Sequence, residues 1–310
     1  MGTTDRLTGW GGEMVEAPSL SEVCAARDRI KGVVSSTPLV KLKSDSNSED
    51  VLLKPEMFQP TGSFKLRGVY SWASSMTDAG RHRGLSTASA GNTALALGYV
   101  AGLYGVTAHS VLSDRVSDAK LKAIRRYGVE PRTMSLNEVL EYMLEERWRE
   151  ETYSYLNPWG DPMMIAGHGT IALEIIEEVS RIDTIYVPVG GGGLIAGVAS
   201  VIKHSNPSVH VVGVQAESCP ALHSAFEAGR SVWVNARPTL CDGASSPLIV
   251  DEMFPLLSQV VDEVQLVSEE SATSCIRMLA LDNGLFVEGS GAISVAAALS
   301  TPRSIRGKAV

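Results

Sequence analysis

An α/β architecture of two open, twisted, mostly parallel-sheet domains with a ligand cleft between them is the fold this sequence predicts, and three observations predict it. Strand-like and helix-like segments alternate from Leu85 to Glu150, the pattern of a parallel sheet with crossover helices. The alternation resumes from Thr152 to Gln215, around a turn-rich break at Asn157-Pro158-Trp159-Gly160-Asp161-Pro162, which implies a second sheet. The turns after Leu53, Ala88 and Val189 all follow strands, and ligands in open α/β sheets sit at such carboxyl ends.

The elements follow in order. Ser19-Leu20-Ser21-Glu22 is a capping box, and the spacing of Val23, Ala26 and Ile30 predicts a helix to about Lys31. Thr37 to Leu42 and Val51 to Lys54 read as short strands joined by a polar turn, Ser44 to Asp50. An amphipathic helix is expected from Leu66 to Ser75. Leu85 to Ala88 is a strand, Ser89 to Thr93 a small-residue turn, and Ala94 to Tyr104 a helix stopped by Gly105. Strand Val106 to Leu112, helix Ser117 to Tyr127, strand Pro131 to Met134 and helix Leu136 to Glu150 complete the first series. The second series reads as strand Tyr153 to Leu156, helix Thr170 to Val179, strand Thr184 to Val189, helix Leu194 to Lys203 and strand Val209 to Gln215. Helices Glu269 to Leu281 and Glu288 to Leu299 follow.

Composition narrows the partners. The chain has 310 residues, 44% of them hydrophobic, enough for a sizeable core. Its net charge of −8 excludes an electrostatic nucleic-acid or anionic-membrane surface and leaves small molecules as partners. Cys24, Cys219, Cys241 and Cys275 are widely spaced, with no zinc or disulfide framework, so a reducing cytoplasm is expected. Met1 to Glu16 lacks the apolar core of a signal peptide or membrane span. That arm is expected to be loose or docked on a neighbouring subunit of a homodimer.

Two stretches carry chemistry. In Pro60-Thr61-Gly62-Ser63-Phe64-Lys65-Leu66-Arg67-Gly68, Lys65 falls at a strand-to-helix turn, with Thr61 and Ser63 as capping types. The first-turn N–H groups disfavour an ammonium, so Lys65 is either a nucleophile toward a carbonyl or an ordinary solvated lysine. In Val187-Pro188-Val189-Gly190-Gly191-Gly192-Gly193-Leu194, four glycines between strand and helix let backbone N–H groups converge on one anion. Gly191 to Ala196 also fits G-x-G-x-x-A, with Glu217 about twenty residues on, as a dinucleotide site wants. That reading leaves Lys65 and the Ser89 to Thr93 turn idle. A monophosphate bearing an aldehyde would use all three turns.

Pro60 to Gly68, Ser89-Ala90-Gly91-Asn92, Gly167-His168-Gly169-Thr170-Ile171-Ala172, Gly190 to Gly193 and Glu288-Gly289-Ser290-Gly291-Ala292 together resemble the serine/threonine dehydratase family of pyridoxal-phosphate enzymes, with the tryptophan-synthase-β fold (fold type II). The resemblance covers nearly the whole chain. It implies a large domain of residues 1–57 and 158–310, and a small domain of residues 58–157 carrying Lys65 and the substrate-carboxylate turn. By position, Lys65 would bond the cofactor aldehyde and later move the Cα proton. Phe64 would pack near the cofactor, Asn92 would hydrogen-bond the ring's phenolic oxygen, and Gly190, Gly191, Gly192, Gly193 and Leu194 would bind its phosphate. Gly243 would place a carbonyl near the cofactor, and Glu288 is either close to the ring or in a structural ion pair. Ser89, Ala90, Gly91, Asn92 and Thr93 would receive the substrate.

The implied reaction is loss of water from a β-hydroxy-α-amino acid, giving a 2-oxo acid and ammonia. Racemisation, β-replacement and a non-catalytic binder of nucleotide or pyridoxal phosphate are the rivals. Related racemases carry a serine acid/base where this chain has Ala90, which disfavours racemisation. Thr93 stands where the family usually has histidine, and His168 where glutamine is frequent; His168 is read as packing. Some members hold a divalent metal at positions matching Glu217, Ala221 and His223, though a histidine suits magnesium or calcium poorly. In the family a further strand, beyond the position of Arg306 to Val310, brings a serine or threonine to the pyridine nitrogen; which residue does so for this chain is left open by the sequence.

Overall fold

The computed structural model describes Gly9, residues 11–44 and residues 50–310. The expected turn over Ser44 to Asp50 lies largely outside the described residues, as does most of the expected loose arm. From Gly11 onward the arm docks on its own chain: the Gly11 N–H donates to Glu252 Oε1 (2.7 Å) and the Val15 N–H to Glu252 O (2.9 Å).

The element order is α1 (Leu20–Ile30), β1 (Val40–Lys41), β2 (Leu52–Leu53), α2 (Lys65–Ser75), α3 (Asp78–His82), β3 (Leu85–Ala88), α4 (Asn92–Tyr104), β4 (Ala108–Ser113), α5 (Asp118–Arg126), β5 (Val129–Met134), α6 (Leu136–Leu144), β6 (Ser154–Leu156), α7 (Pro162–Glu178), β7 (Thr184–Pro188), α8 (Gly193–Ser205), β8 (His210–Ala216), α9 (Ala221–Ala228), α10 (Phe254–Val260), β9 (Glu263–Val267), α11 (Glu269–Asn283), α12 (Gly289–Ser300) and α13 (Arg303–Arg306). The α/β class and its parallel sheets are as expected. A four-stranded parallel sheet runs β5-β4-β3-β6, a three-stranded parallel sheet runs β7-β8-β9, and β1-β2 form an antiparallel pair.

Local signals explain the starts. The capping box of Ser19 and Glu22 opens α1, and Ser135 with Glu138 opens α6 in the same way. Four corrections apply. The helix expected to reach Glu150 ends at Leu144, because Glu146 turns into the left-handed region (φ 53°) and breaks the ladder. The strand at 154–156 joins the first sheet beside β3 rather than opening the second, since an alternation of segments does not say which sheet edge is free. Helix α7 starts at Pro162, capped by Asp161, well before the expected Thr170. Helices α9 and α10 and strand β9 were not anticipated.

Glycines of α7 and α8 serve close packing. A Cβ on Gly167 would lie 2.5 Å from Arg67 O, and one on Gly197 of α8 would lie 2.4 Å from Ile165 O. Backbone therefore meets backbone where α7 crosses α2 and α8. Gly197→Ala should cost about 1–3 kcal/mol through overpacking, measured as a lowered urea midpoint with an unchanged slope.

Residues 308–310 tie the sheets together. The Leu52 N–H donates to Ala309 O (2.9 Å) and the Tyr186 N–H to Val310 O (2.8 Å), so this segment runs parallel between β2 and β7. No described helix is long and apolar enough to cross a membrane.

Candidate active site

A cavity of about 690 Å³ opens at the carboxyl ends of the strands. Its lining includes Phe64 and Lys65, the turn Ser89 to Thr93, Gly190 to Leu194, Gly243, and Glu288 with Ser290. The turns after Leu53, Ala88 and Val189 thus converge on one space.

Lys65 is the first residue of α2, but Thr61 and Ser63 do not cap that helix. Phe64 occupies the cap position with helical dihedrals, and the buried Thr61 and Ser63 hydroxyls have no partner among the described residues. Burial is the main force on the half-buried Lys65: it drives the amine down to about 8, opposed by the negative charge of Glu288. The ammonium lies 5.0 Å from the centroid of the Phe64 ring. Phe64 also packs against His168 in a T-shaped pair, with 5.0 Å between ring centroids. His168 is fully buried, and both ring nitrogens lack partners among the described residues. Burial first, then the charges of Lys65 and Arg67, hold its pKa well below the ordinary value, so the imidazole is neutral packing.

Sequence reasoning missed what fixes α2 from behind. Arg67 is fully buried and binds Glu56 through Nε (2.8 Å) and Glu174 through Nη1 (2.6 Å). Lys54 reaches the same Glu174 at 2.7 Å. Burial opposes ionisation of Glu174, and Arg67 with Lys54 overcome it, holding the carboxyl below its ordinary value.

The Ser89 to Thr93 turn is held by another residue the sequence did not single out. Ser110 of β4 accepts from the Ser89 N–H (3.1 Å) and donates to Ser89 O (2.7 Å), while the Gly91 N–H donates to Ser89 Oγ (3.2 Å). Helix α4 begins at Asn92, whose Nδ2 donates to Glu288 Oε1 at 2.9 Å. That bond, rather than an ion pair, is the described partner of Glu288. Burial and then the like charge of Asp242 raise the Glu288 carboxyl above its usual range. Lys120 of α5 pairs with Asp242 at the same mouth, so two polar contacts join opposite walls of the cavity.

The glycine turn is a built cradle. Gly192 has φ +98°, a conformation that excludes ordinary side chains. Gly190 passes Gly243, where a Cβ would lie 3.3 Å from the Gly243 carbonyl oxygen. A Cβ on Gly191 would lie 2.4 Å from Trp159 Cδ1. Helix α8 starts at Gly193 with no side-chain cap, which leaves its first N–H groups to an anion. An aldehyde-bearing aromatic phosphate fits this set: a cradle for the anion, a low-pKa amine, and buried hydroxyls at Ser63 and Ser290 with no partner among the described residues.

The residues expected for a divalent metal lie at the end of β8 and in the first turn of α9. Glu217 is exposed after β8, Ala221 is buried at the start of α9, and His223 Nδ1 turns to Glu227 on its own helix (3.5 Å). Among the described residues no group of three or more His, Cys, Asp or Glu could hold a metal ion.

Comparison with known proteins agrees with this geometry. An L-threonine ammonia-lyase of Thermotoga maritima is 36% identical over 297 residues, covering 94% of this chain and 73% of the relative. The Staphylococcus aureus protein named L-threonine dehydratase catabolic TdcB is 35% identical over 287 residues, covering 91% and 83%. Among solved structures, maize serine racemase superposes with a TM-score of 0.85 at 30% identity, covering 92% of this chain and 87% of that one. The processed form of threonine deaminase isoform 2 from Solanum lycopersicum gives 0.80 at 26% identity, covering 95% and 89%. Residues 30–310 match the family model described as pyridoxal-phosphate dependent enzyme. With the lysine, the cradle and the fold in the arrangement that this match leads one to look for, the chain belongs to the pyridoxal-phosphate-dependent enzyme family.

Proposed function

We propose that this protein is a pyridoxal-phosphate ammonia-lyase, a carbon–oxygen lyase that removes water from a β-hydroxy-α-amino acid such as serine, threonine or a bulkier 3-hydroxy amino acid. The carrying observation is that Lys65, with its amine lowered to about 8, shares one cavity with the glycine cradle and the Ser89 to Thr93 turn. The names of the ammonia-lyase and dehydratase relatives support the reaction class.

Gly190 to Gly193 and Leu194 hold the phosphate through backbone N–H groups, and Gly243 packs beside them. When bound, the cofactor supplies an electron sink for the charge left at the substrate Cα. Phe64 and His168 fix the direction of Lys65, which is the nearest base for the Cα proton and is poised close to neutral pH. Asn92, oriented by Glu288, keeps a second amide proton for the ring oxygen. The turn Ser89, Ala90, Gly91, Asn92 and Thr93 receives the substrate carboxylate: the Ser89 and Gly91 N–H groups hold its shape through Ser110 Oγ and Ser89 Oγ, which leaves the backbone N–H groups of Ala90, Asn92 and Thr93 and the turn's hydroxyls for the carboxylate. On this reading the chain divides into a large domain, residues 1–57 with 158–310, and a small domain, residues 58–157; the four-stranded sheet lying within 85–156 supports that division. A reducing cytoplasm suits four free cysteines, and a homodimer would cover exposed apolar residues such as Phe286 (83% exposed).

The test is a panel of β-hydroxy amino acids, including serine, threonine and 3-hydroxyaspartate, assayed for 2-oxo acid and ammonia. Stoichiometric release from at least one is expected; inverted amino acid without 2-oxo acid would replace elimination by racemisation. Ala90 offers only a methyl where an opposite-face acid/base would stand. Ala90→Ser is therefore expected to raise racemisation, read by chiral chromatography, by about tenfold or more. No rise would contradict this account of the second face.

A further inference from the structure

Trp159 enters the cavity between its two main functional walls. It packs against the core beneath β7 and α8 and also against the smaller cluster of Ala88, Val111 and Met143 behind the substrate turn. Its pyrrole edge presses on the cradle: a Cβ on Gly191 would lie 2.4 Å from Trp159 Cδ1 and 3.1 Å from its Nε1, and one on Gly193 would lie 3.2 Å from Trp159 O. Gly191 is therefore glycine because the indole occupies the space of its side chain. The backbone N–H of Trp159 is satisfied by Asn157 Oδ1 (3.0 Å), whereas the indole N–H makes no hydrogen bond to another described residue. A half-buried indole ordinarily finds a partner for that proton. Here it lines the cavity beside a cradle that holds no side-chain donor of its own.

We propose that the Trp159 indole N–H is an additional donor to the anion held by Gly190 to Gly193, so that recognition of the phosphate involves a side chain as well as backbone. The inference rests on the cradle reading above. An uncharged N–H adds grip without a second cation, leaving the phosphate free to take up a proton. It also couples the cradle to the substrate wall, since the same indole touches both.

Pyridoxal phosphate and pyridoxal separate this claim from general packing, because the two differ only in the phosphate. Their dissociation constants would be measured on the wild type, Trp159→Phe and Trp159→His by absorbance titration. A hydrogen bond to a charged group is worth about 10- to 100-fold in affinity. Trp159→Phe is expected to lose about that factor for pyridoxal phosphate and none for pyridoxal, and Trp159→His, which can keep a ring donor, to recover some of it. An unchanged ratio in Trp159→Phe would overturn the inference while leaving the cradle intact. A wild type that does not prefer the phosphorylated form would overturn the cradle reading and this one together. Should the variants fail to fold, the wild-type indole ¹H–¹⁵N resonance of Trp159 decides: it should move on adding pyridoxal phosphate but not pyridoxal, and equal movement with both would contradict the proposal.

Discussion

Lys65→Ala is expected to lower 2-oxo acid release by at least about 10²–10⁴-fold, the usual contribution of a positioned base, with far-ultraviolet circular dichroism unchanged. The fold should survive because Lys65 sits in the first turn of α2, where alanine is a good helix former, and its described neighbour is the Phe64 ring. A pH signature accompanies the loss. Burial lowers the amine to about 8, so below that pH the reactive neutral fraction falls by about tenfold per unit, and above it the fraction saturates. The rate at which the apoprotein captures pyridoxal phosphate should therefore climb to about pH 8 and then level. A climb continuing toward the ordinary lysine range would mean that the cavity does not desolvate the amine. Substantial residual elimination by Lys65→Ala would assign the base to another group.

The second large effect is on stability. Arg67→Met leaves Glu56 and Glu174 facing each other with Lys54 as the remaining described cation, and breaking such a buried pair costs about 3–5 kcal/mol. The expected outcome is a urea midpoint lowered accordingly, with Arg67→Met combined with Glu174→Gln less destabilised than Arg67→Met alone. Since α2 begins at Lys65, two residues before Arg67, the single variant should also loosen the amine and slow its capture of the cofactor. If Arg67→Met is as stable as the wild type, the network is not what holds α2 against α7.

What the sequence made legible was what is encoded locally. The capping box of Ser19 and Glu22, the four glycines at 190–193 and the lysine beside Phe64 each declare themselves within a few residues, and each was found where expected. The features that stayed hidden depend on partners far along the chain. Arg67 meets Glu174, Asn92 meets Glu288 and Lys120 meets Asp242 only after folding, so no window of sequence shows them. Thr61 and Ser63 look like caps by type, yet the helical dihedrals of Phe64 remove the need for one. The first turns of α7 were not expected, and within them Gly167 and Gly169 serve close approach to α2, α1 and α8. Trp159 looked like a turn residue, and its contact with Gly191 is visible only in three dimensions.

The measurement that bears most directly on the whole account is chemical mapping of the cofactor bond. Apoprotein incubated with pyridoxal phosphate at pH 8 and reduced with borohydride should carry one stable pyridoxyl-phosphate group, located by peptide mass spectrometry on Lys65. Modification spread over surface lysines, or concentrated on a lysine outside the cavity, would contradict the claim that Lys65 and the Gly190 to Gly193 cradle hold the two ends of a single ligand.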